Sequence, residues 1–251
     1  MGNKICWAPG GTVNPVVGCW GPGGTEAKPH RCPWCYAHRI APRVAAMRAA
    51  ATGKPVCQAC REFRPHLHPE RLDQIGKGRG RRVFIGSMCD LWSEGVDPRW
   101  RHAIVYHIGQ AQQNSYIMLT KSPERMCRHD FVPADPGGTW PPNLWVGASA
   151  CNIADVHDRW PEIVRSVPAD RRVLSLEPCY SWPGRIIPPP AWLIIGPQTP
   201  LRAHAPIHKC DLLRAMDWAR DNGTPLWLKD GCYDLWPDLP RRQELPEGMV
   251  V

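Results

Sequence analysis

The run "NLWVGAS", residues 143–149, is apolar at almost every position and leads directly into Ala150, Cys151 and Asn152. A strand with one wet face alternates apolar and polar residues, whereas a continuous apolar run fits a strand buried on both faces. The same texture returns in "RVFIGSM" (82–88), "SYIMLT" (115–120), "RVLSLE" (172–177), "AWLIIG" (191–196) and "PLWLKD" (225–230). Between these runs lie stretches that fit helices: Pro98 to Gln113, Ile153 to Val167 and His208 to Asn222, with a shorter helical turn at Pro123 to Arg128. In the last of the three long stretches, Leu212, Leu213, Met216 and Trp218–Ala219 fall near helical spacing, and Gly223 stands where a C-terminal cap belongs. Strand and helix in alternation predict mainly parallel βαβ units in an α/β fold. An open sheet and a partial or complete barrel both satisfy that pattern.

In barrels, chemistry collects at the C-terminal ends of the strands. Those ends carry Ser87 and Asp90, Thr120 and Lys121, Ser149 and Asn152, Glu177, Gln198, and Lys229 and Asp230. The segment 51–80, with Gly53, Pro55, Pro65 and "GKGRG", reads as an insertion or long connection within a single domain spanning 1–251.

The composition, 43% hydrophobic and 22% charged, is that of a globular chain. The formal charge of +8 gathers in Lys77 to Arg82, around Arg171-Arg172, at Arg202 and at Arg241-Arg242, a balance that favours anionic partners such as nucleic acid or nucleotides. No stretch approaches the roughly 18 apolar residues of a membrane span. The start, "MGNKICWAPGG", lacks the apolar core of a signal peptide, and Cys6 stands where N-myristoylation needs Ser or Thr. These features predict a cytoplasmic protein with no membrane partner. Thiols there stay reduced, so the twelve cysteines read first as ligands, catalytic groups or buried core. No H-E-x-x-H, Walker loop, G-x-G-x-x-G or G-x-S-x-G is present.

The stretch "GCWGPGGTEAKPHRCPWCYAHR" (18–39) gathers Cys19, Cys32 and Cys35 around a glycine-rich loop. Two arrangements satisfy the spacing. Cys32 and Cys35 can pair with Cys57 and Cys60 in a four-thiolate zinc site, making a non-catalytic zinc ribbon that binds nucleic acid. Alternatively, Cys19, Cys32 and Cys35 can hold three irons of a [4Fe–4S] cluster and leave the fourth open. Trp34, and the tryptophans generally, are compatible with a dry pocket around such a cluster. Cys57 and Cys60 have His66 and His68 close by as further zinc ligands, while Cys89, Cys127, Cys151, Cys179, Cys210 and Cys232 read as buried small hydrophobes.

Taken in order, "TVNPVVGC", "CPWCYAHR", "HPERLDQI", "RVFIGSMCDLW", "LTKSPERM", "NLWVGASACN" and "LSLEP" resemble a family of phage and bacterial radical S-adenosylmethionine (SAM)-like proteins, long labelled a phage domain of unknown function. The resemblance runs in patches from about Thr12 to about Asp230. It implies a partial (β/α) barrel of the radical SAM type, with Cys19, Cys32 and Cys35 as the cluster ligands. The first two cysteines stand further apart than in the commonest radical SAM pattern, and Cys6 is the alternative to Cys19. "IIGPQTP" (194–200) stands where the family has a Gly-Gly-Glu-Ser-like turn.

The implied cofactors are the [4Fe–4S] cluster and SAM, cleaved with an electron from a donor to give a 5′-deoxyadenosyl radical. By position, Ser87 and Asp90 are expected at the methionyl amino group, and Ser149 and Asn152 at ribose or carboxylate. Glu177 is expected at a ribose hydroxyl or substrate group. Lys121 and Lys229 are expected to neutralise the carboxylate of SAM or an anionic substrate. The implied reaction is modification or rearrangement (isomerase-type chemistry included) of a substituent on a thymine-type base, in phage DNA or nucleotides. A base in duplex DNA has to be flipped out to reach such a site. A photoproduct-lyase-like repair reaction and a peptide substrate are the neighbouring readings.

Overall fold

The computed structural model describes residues 5–33, 35–131, 139–198 and 207–250; Trp34 and Arg202 lie outside these. In chain order the elements are β1 (Thr12–Val13), β2 (Val16–Val17), α1 (Tyr36–Thr52), α2 (Gln58–Glu62), β3 (His66–Leu67), β4 (Arg82–Ile85), α3 (Pro98–Gln110) and β5 (Ser115–Thr120). There follow β6 (Leu144–Ala150), α4 (Ile153–Ser166), β7 (Arg172–Leu176), β8 (Trp192–Ile195), α5 (Lys209–Asp221), β9 (Leu226–Leu228) and α6 (Asp230–Leu235). All six apolar runs form strands. They join β1 in a seven-stranded sheet of order β1-β4-β5-β6-β7-β8-β9, parallel throughout and curled into a half-barrel. The partial (β/α) barrel is therefore correct. Only β2 and β3 leave it, pairing antiparallel as a separate two-stranded unit.

The three long helices form almost where the periodicity places them, and 123–125 is a single 3-10 turn. Asp97 caps α3 through Arg99 N–H, and Asn152 caps α4 through Asp155 N–H. After α5, Gly223 takes φ +62°, the left-handed position that stops the helix. The sequence does not announce α1. Its buried stripe is Ala37, Ala41 and Ala45, a weak hydrophobic signal, and Pro42 inside it reads as a breaker. The stretch 51–80 holds the end of α1, then α2, β3 and a 3-10 segment at Pro69–Gln74.

Strand alternation divides the core in two. On the outer face, Tyr116, Met118, Val146, Ala148, Leu174, Leu193 and Leu226 pack against Ile104 and Ile108 of α3, Trp160 and Ile163 of α4, and Leu212 and Met216 of α5. On the concave face, Ile117, Trp145, Val173, Trp192, Ile194 and Trp227 pack with Trp7 and Met249. Trp145, Trp192 and Trp227 stand at the N-terminal ends of their strands, where Trp7 meets Trp192 at 6.0 Å edge-on and Trp192 meets Trp227 at 6.2 Å. Arg82 reaches beneath this layer to the carbonyls of Trp7 (3.3 Å) and Val250 (3.1 Å), and Val250 N–H donates to Ser115 Oγ (3.0 Å). Trp7, Trp145, Trp192 and Trp227 thus plug the end of the half-barrel opposite the cysteines, while Trp20 is buried in the cysteine loop itself.

One position in the central strand β6 permits no side chain. A Cβ on Gly147 would fall 1.8 Å from the Val173 carbonyl oxygen of β7. Backbone in the middle of a sheet cannot retreat, so Gly147→Ala is expected to lower unfolding free energy by about 3 kcal/mol or more, the upper part of the overpacking range. Urea denaturation followed by tryptophan fluorescence checks this.

Candidate active site at the strand ends

Beyond β1 and β4 the chain builds a platform from Asn14. Its amide pairs with the Ser87 hydroxyl (3.1 and 3.2 Å), and its Oδ1 accepts from Met88 N–H (2.8 Å). The loop 18–35 then crosses itself: His30 N–H donates to the Trp20 carbonyl (2.8 Å), and Trp20 N–H donates to Ser93 Oγ (3.0 Å). Gly21, at φ +84°, makes the crossing possible, because a Cβ there would lie 1.9 Å from the His30 carbonyl oxygen. The loop ends on Cys35, which caps α1 by accepting His38 N–H at Sγ (3.4 Å).

Cys19 and Cys35 pack half-buried against Val17, Ala37, Ala41 and Met88. Burial pushes the Cys19 thiol up to about 12; the Asp90 carboxylate adds to this, as do the nearby Cys35 and Cys32 sulfurs, against a lowering hydrogen bond from Gly21. All three thiols stand on this one loop, and Lys121 Nζ reaches Cys32 Sγ at 3.8 Å. Cys6, the alternative third ligand, stands near Lys229 and Cys232 instead.

The concave face turns polar toward this end of the sheet. Alternation brings Ser149, Ser175, Glu177, Lys121 and Lys229 to the side that carries the tryptophans lower down. Glu177 forms an ion pair with Lys229 Nζ and accepts from Ser175 Oγ (2.8 Å). Burial draws the Lys229 ammonium down, but the charge and hydrogen bond of Glu177 outweigh it, so its pKa lies above the ordinary value. Gly196 leaves the room, since a Cβ there would meet Lys229 Cδ at 2.5 Å and Glu177 Oε1 at 3.0 Å. Gln198, in the departing turn, accepts from Tyr180 Oη (3.3 Å).

Several expected contact residues are engaged within the fold. Asp90 accepts at Oδ1 from Thr120 Oγ1 (2.7 Å) and Trp92 N–H (3.0 Å), and at Oδ2 from Lys121 N–H (2.7 Å). It ties the end of β4 to the end of β5 and aims Lys121. Ser87 is paired with Asn14, and its carbonyl accepts from Tyr36 Oη at 2.5 Å. Asn152 is exposed and its side-chain oxygen is used as the α4 cap (2.9 Å). Lys121, Ser149, Glu177 and Lys229 remain on the concave side. Asn14 and Tyr36 were missed. A polar residue just past a two-residue strand carries no periodic signal, and Tyr36 opens a helix that the sequence does not announce.

The zinc ribbon of paired C-x2-C motifs does not form. Cys57 and Cys60 gather with His66 and His68, not with Cys32 and Cys35. Among the remaining cysteines, Cys151, Cys179 and Cys232 are buried and Cys89 is half-buried, as small hydrophobes would be. Cys127 and Cys210 are exposed, against expectation, because one follows a 3-10 turn and the other opens α5 on its outward side. Two basic clusters, Lys77 to Arg82 and Arg171-Arg172, lead into the first residues of β4 and β7 and so lie at the tryptophan end of the sheet. Arg172 is engaged there with the Val167 and Val164 carbonyls (2.8 and 2.7 Å).

These features define a parallel half-barrel protein with a thiol-rich, polar mouth. The chain belongs to a family described as "Protein of unknown function (DUF5131)", whose profile covers residues 2–234. No curated protein and no solved structure matches it. No helix among the described residues is long and apolar enough to cross a membrane.

Two outcomes follow from this geometry. A thiol near pKa 12 is ionised to only about one part in ten thousand at pH 8, so iodoacetamide should label exposed Cys127 and Cys210 well before Cys19 in metal-free protein. Mass spectrometry of quenched peptides reads the order. Replacing Glu177 with Gln leaves the Lys229 ammonium without its counter-charge. The expected loss is about 3 kcal/mol, the low end for breaking a buried pair because both side chains keep some solvent contact. Since Glu177 raises the Lys229 pKa, the lost stability is that present below the ordinary lysine pKa, and the difference from wild type should shrink as alkaline pH titrates Lys229. Chemical denaturation at pH 7 and pH 10.5 measures both.

Proposed function

We propose that this chain is a radical SAM enzyme that holds a [4Fe–4S] cluster through Cys19, Cys32 and Cys35. The observation that carries the reading is the placement of these three thiols on one loop beyond the C-terminal ends of β1 and β4 in a parallel half-barrel, with the Lys121 ammonium 3.8 Å from Cys32. The donor set fits the group: it is all sulfur, it sits on a loop whose crossing admits only glycine, and it leaves a fourth position to an outside ligand. When bound, such a cluster supplies the electron that cleaves the sulfonium bond of SAM to methionine and a 5′-deoxyadenosyl radical.

The chain's own residues bind and orient. Lys121, aimed by Asp90, offers a cation beside the thiols to a carboxylate. Glu177 and Lys229, braced by Ser175, offer an acceptor and a donor deeper in the concave face, with Ser149 beside them. The tryptophan layer closes the far end against water. The substrate class we assign is a thymine-type base in DNA or a nucleotide, supported by the resemblance and by the net charge of +8.

The test uses anaerobically purified protein reconstituted with iron and sulfide and reduced with dithionite. A reduced-cluster electron paramagnetic resonance signal should change on adding SAM, and 5′-deoxyadenosine should form. Both should vanish in Cys19→Ala, Cys32→Ala and Cys35→Ala. Lys121→Ala should keep the cluster but lower deoxyadenosine yield at least tenfold, the effect of about 1.4 kcal/mol in binding or barrier. Protein that assembles no cluster and cleaves no SAM rejects the reading. Nucleoside analysis of treated DNA then tests the substrate class.

A further inference from the structure

We propose that Cys57, Cys60, His66 and His68 form a structural zinc site that braces the loop carrying Cys19. Their ligand atoms all lie within 4.8 Å of one another. Cys57 Sγ is 3.4 Å from His66 Nε2, Cys60 Sγ is 3.3 Å from His66 Nε2 and 3.1 Å from His68 Nε2, and the two Nε2 atoms are 2.8 Å apart.

The outward ring nitrogens decide what the inward ones are. His66 Nδ1 faces the Arg64 carbonyl at 2.8 Å and His68 Nδ1 faces the Glu70 carboxylate at 3.0 Å. Both partners can only accept, so each Nδ1 carries the hydrogen and each Nε2 presents a lone pair. Two lone pairs 2.8 Å apart form no hydrogen bond and repel. A cation between them and the two sulfurs removes the conflict. A metal-binding histidine typically gives its other N–H to a carbonyl or carboxylate in this way.

Local structure explains the convergence. Cys57 stands at the N-terminal boundary of α2 without capping it, and Cys60 lies three residues on, so both project from the same side of that turn. Phe63, at φ +56°, ends the helix in the left-handed conformation and turns the chain back. His66 opens β3 and His68 follows two residues later, on the same face of the extended chain. Two thiolates with two imidazoles in a closed set of four suit tetrahedral zinc and leave no open position for catalysis.

The ion would stiffen the neighbouring cysteine loop through backbone. Val17 pairs with His66 and Val16 with Leu67, two and three residues before Cys19. His68 N–H donates to the Pro15 carbonyl (2.6 Å), and Gly18 packs so closely on Arg64 that a Cβ would lie 2.4 Å from its carbonyl. Cys60 and Phe63 share one apolar cluster with Cys19 and Cys35.

The test is independent of the cluster reading. The full chain is purified aerobically without iron–sulfide reconstitution, dialysed against metal-free buffer, and its metals are measured by plasma mass spectrometry. About one zinc per chain is expected, falling at least tenfold in Cys57→Ser and His68→Ala and unchanged in a Cys19/Cys32/Cys35 triple-alanine variant. Cobalt(II) exchanged into the wild type should give visible tetrahedral bands with thiolate charge transfer, a readout that stands if the ligand variants fail to fold. Wild-type protein that retains neither zinc nor cobalt overturns the site. So does zinc that survives Cys57→Ser and leaves with the triple variant.

Discussion

Successive residues of a strand point to opposite faces, and in this curled sheet the two faces meet different surroundings. Outward residues meet three helices and are apolar except at strand ends, where Thr120 and Arg172 are hydrogen-bonded. Inward residues change character along the strand, from Trp145, Trp192 and Trp227 at the N-terminal ends to Ser149, Glu177 and Lys229 at the C-terminal ends. Because every strand is parallel, these gradients add rather than cancel. One end of the half-barrel becomes a plug and the other a polar mouth. A reversed strand would have brought a tryptophan to the mouth and a charge to the plug.

The mouth depends on small polar devices that hold its larger groups. Asp90 spends both carboxylate oxygens on the ends of β4 and β5, and thereby sets the direction of Lys121. Asn14 couples the end of β1 to Ser87 and Met88, and Tyr36 closes on the Ser87 carbonyl. These bonds rigidify the rim without using the groups that face the concave side. Rigid support of this kind is what a site needs to hold reacting groups in register. The antiparallel β2–β3 pair extends the support to the cysteine loop from outside the barrel.

Much of this was legible in the residues. The runs at 82–88, 115–120, 143–149, 172–177, 191–196 and 225–230 are apolar without alternation, which identified buried parallel strands, and their polar successors identified the mouth. Lys121, Ser149, Glu177 and Lys229 are legible as strand-end residues, and strand alternation in the curled sheet turns them to the concave side. Asp90, Ser87 and Asn152 are legible as strand-end residues in the same way, but a one-dimensional reading has no means of knowing that their hydrogen bonds are already made within the fold. Residues β1, β2 and β3 contribute are too few for any period to register, and α1 hides its buried stripe in alanine.

By itself the sequence determined the fold class, because a continuous apolar run has no stable place except between two covered faces. It also determined the cysteine-rich character of residues 18–60. Only the tertiary structure decided how those cysteines are divided. Spacing allowed Cys32 and Cys35 to join Cys57 and Cys60, but the backbone ladder between β2 and β3 brings His66 and His68 to the second pair and leaves the first with Cys19. The choice was made by main-chain hydrogen bonds and by close backbone approaches at Gly18 and Gly21, contacts between residues far apart in the chain that no local pattern encodes.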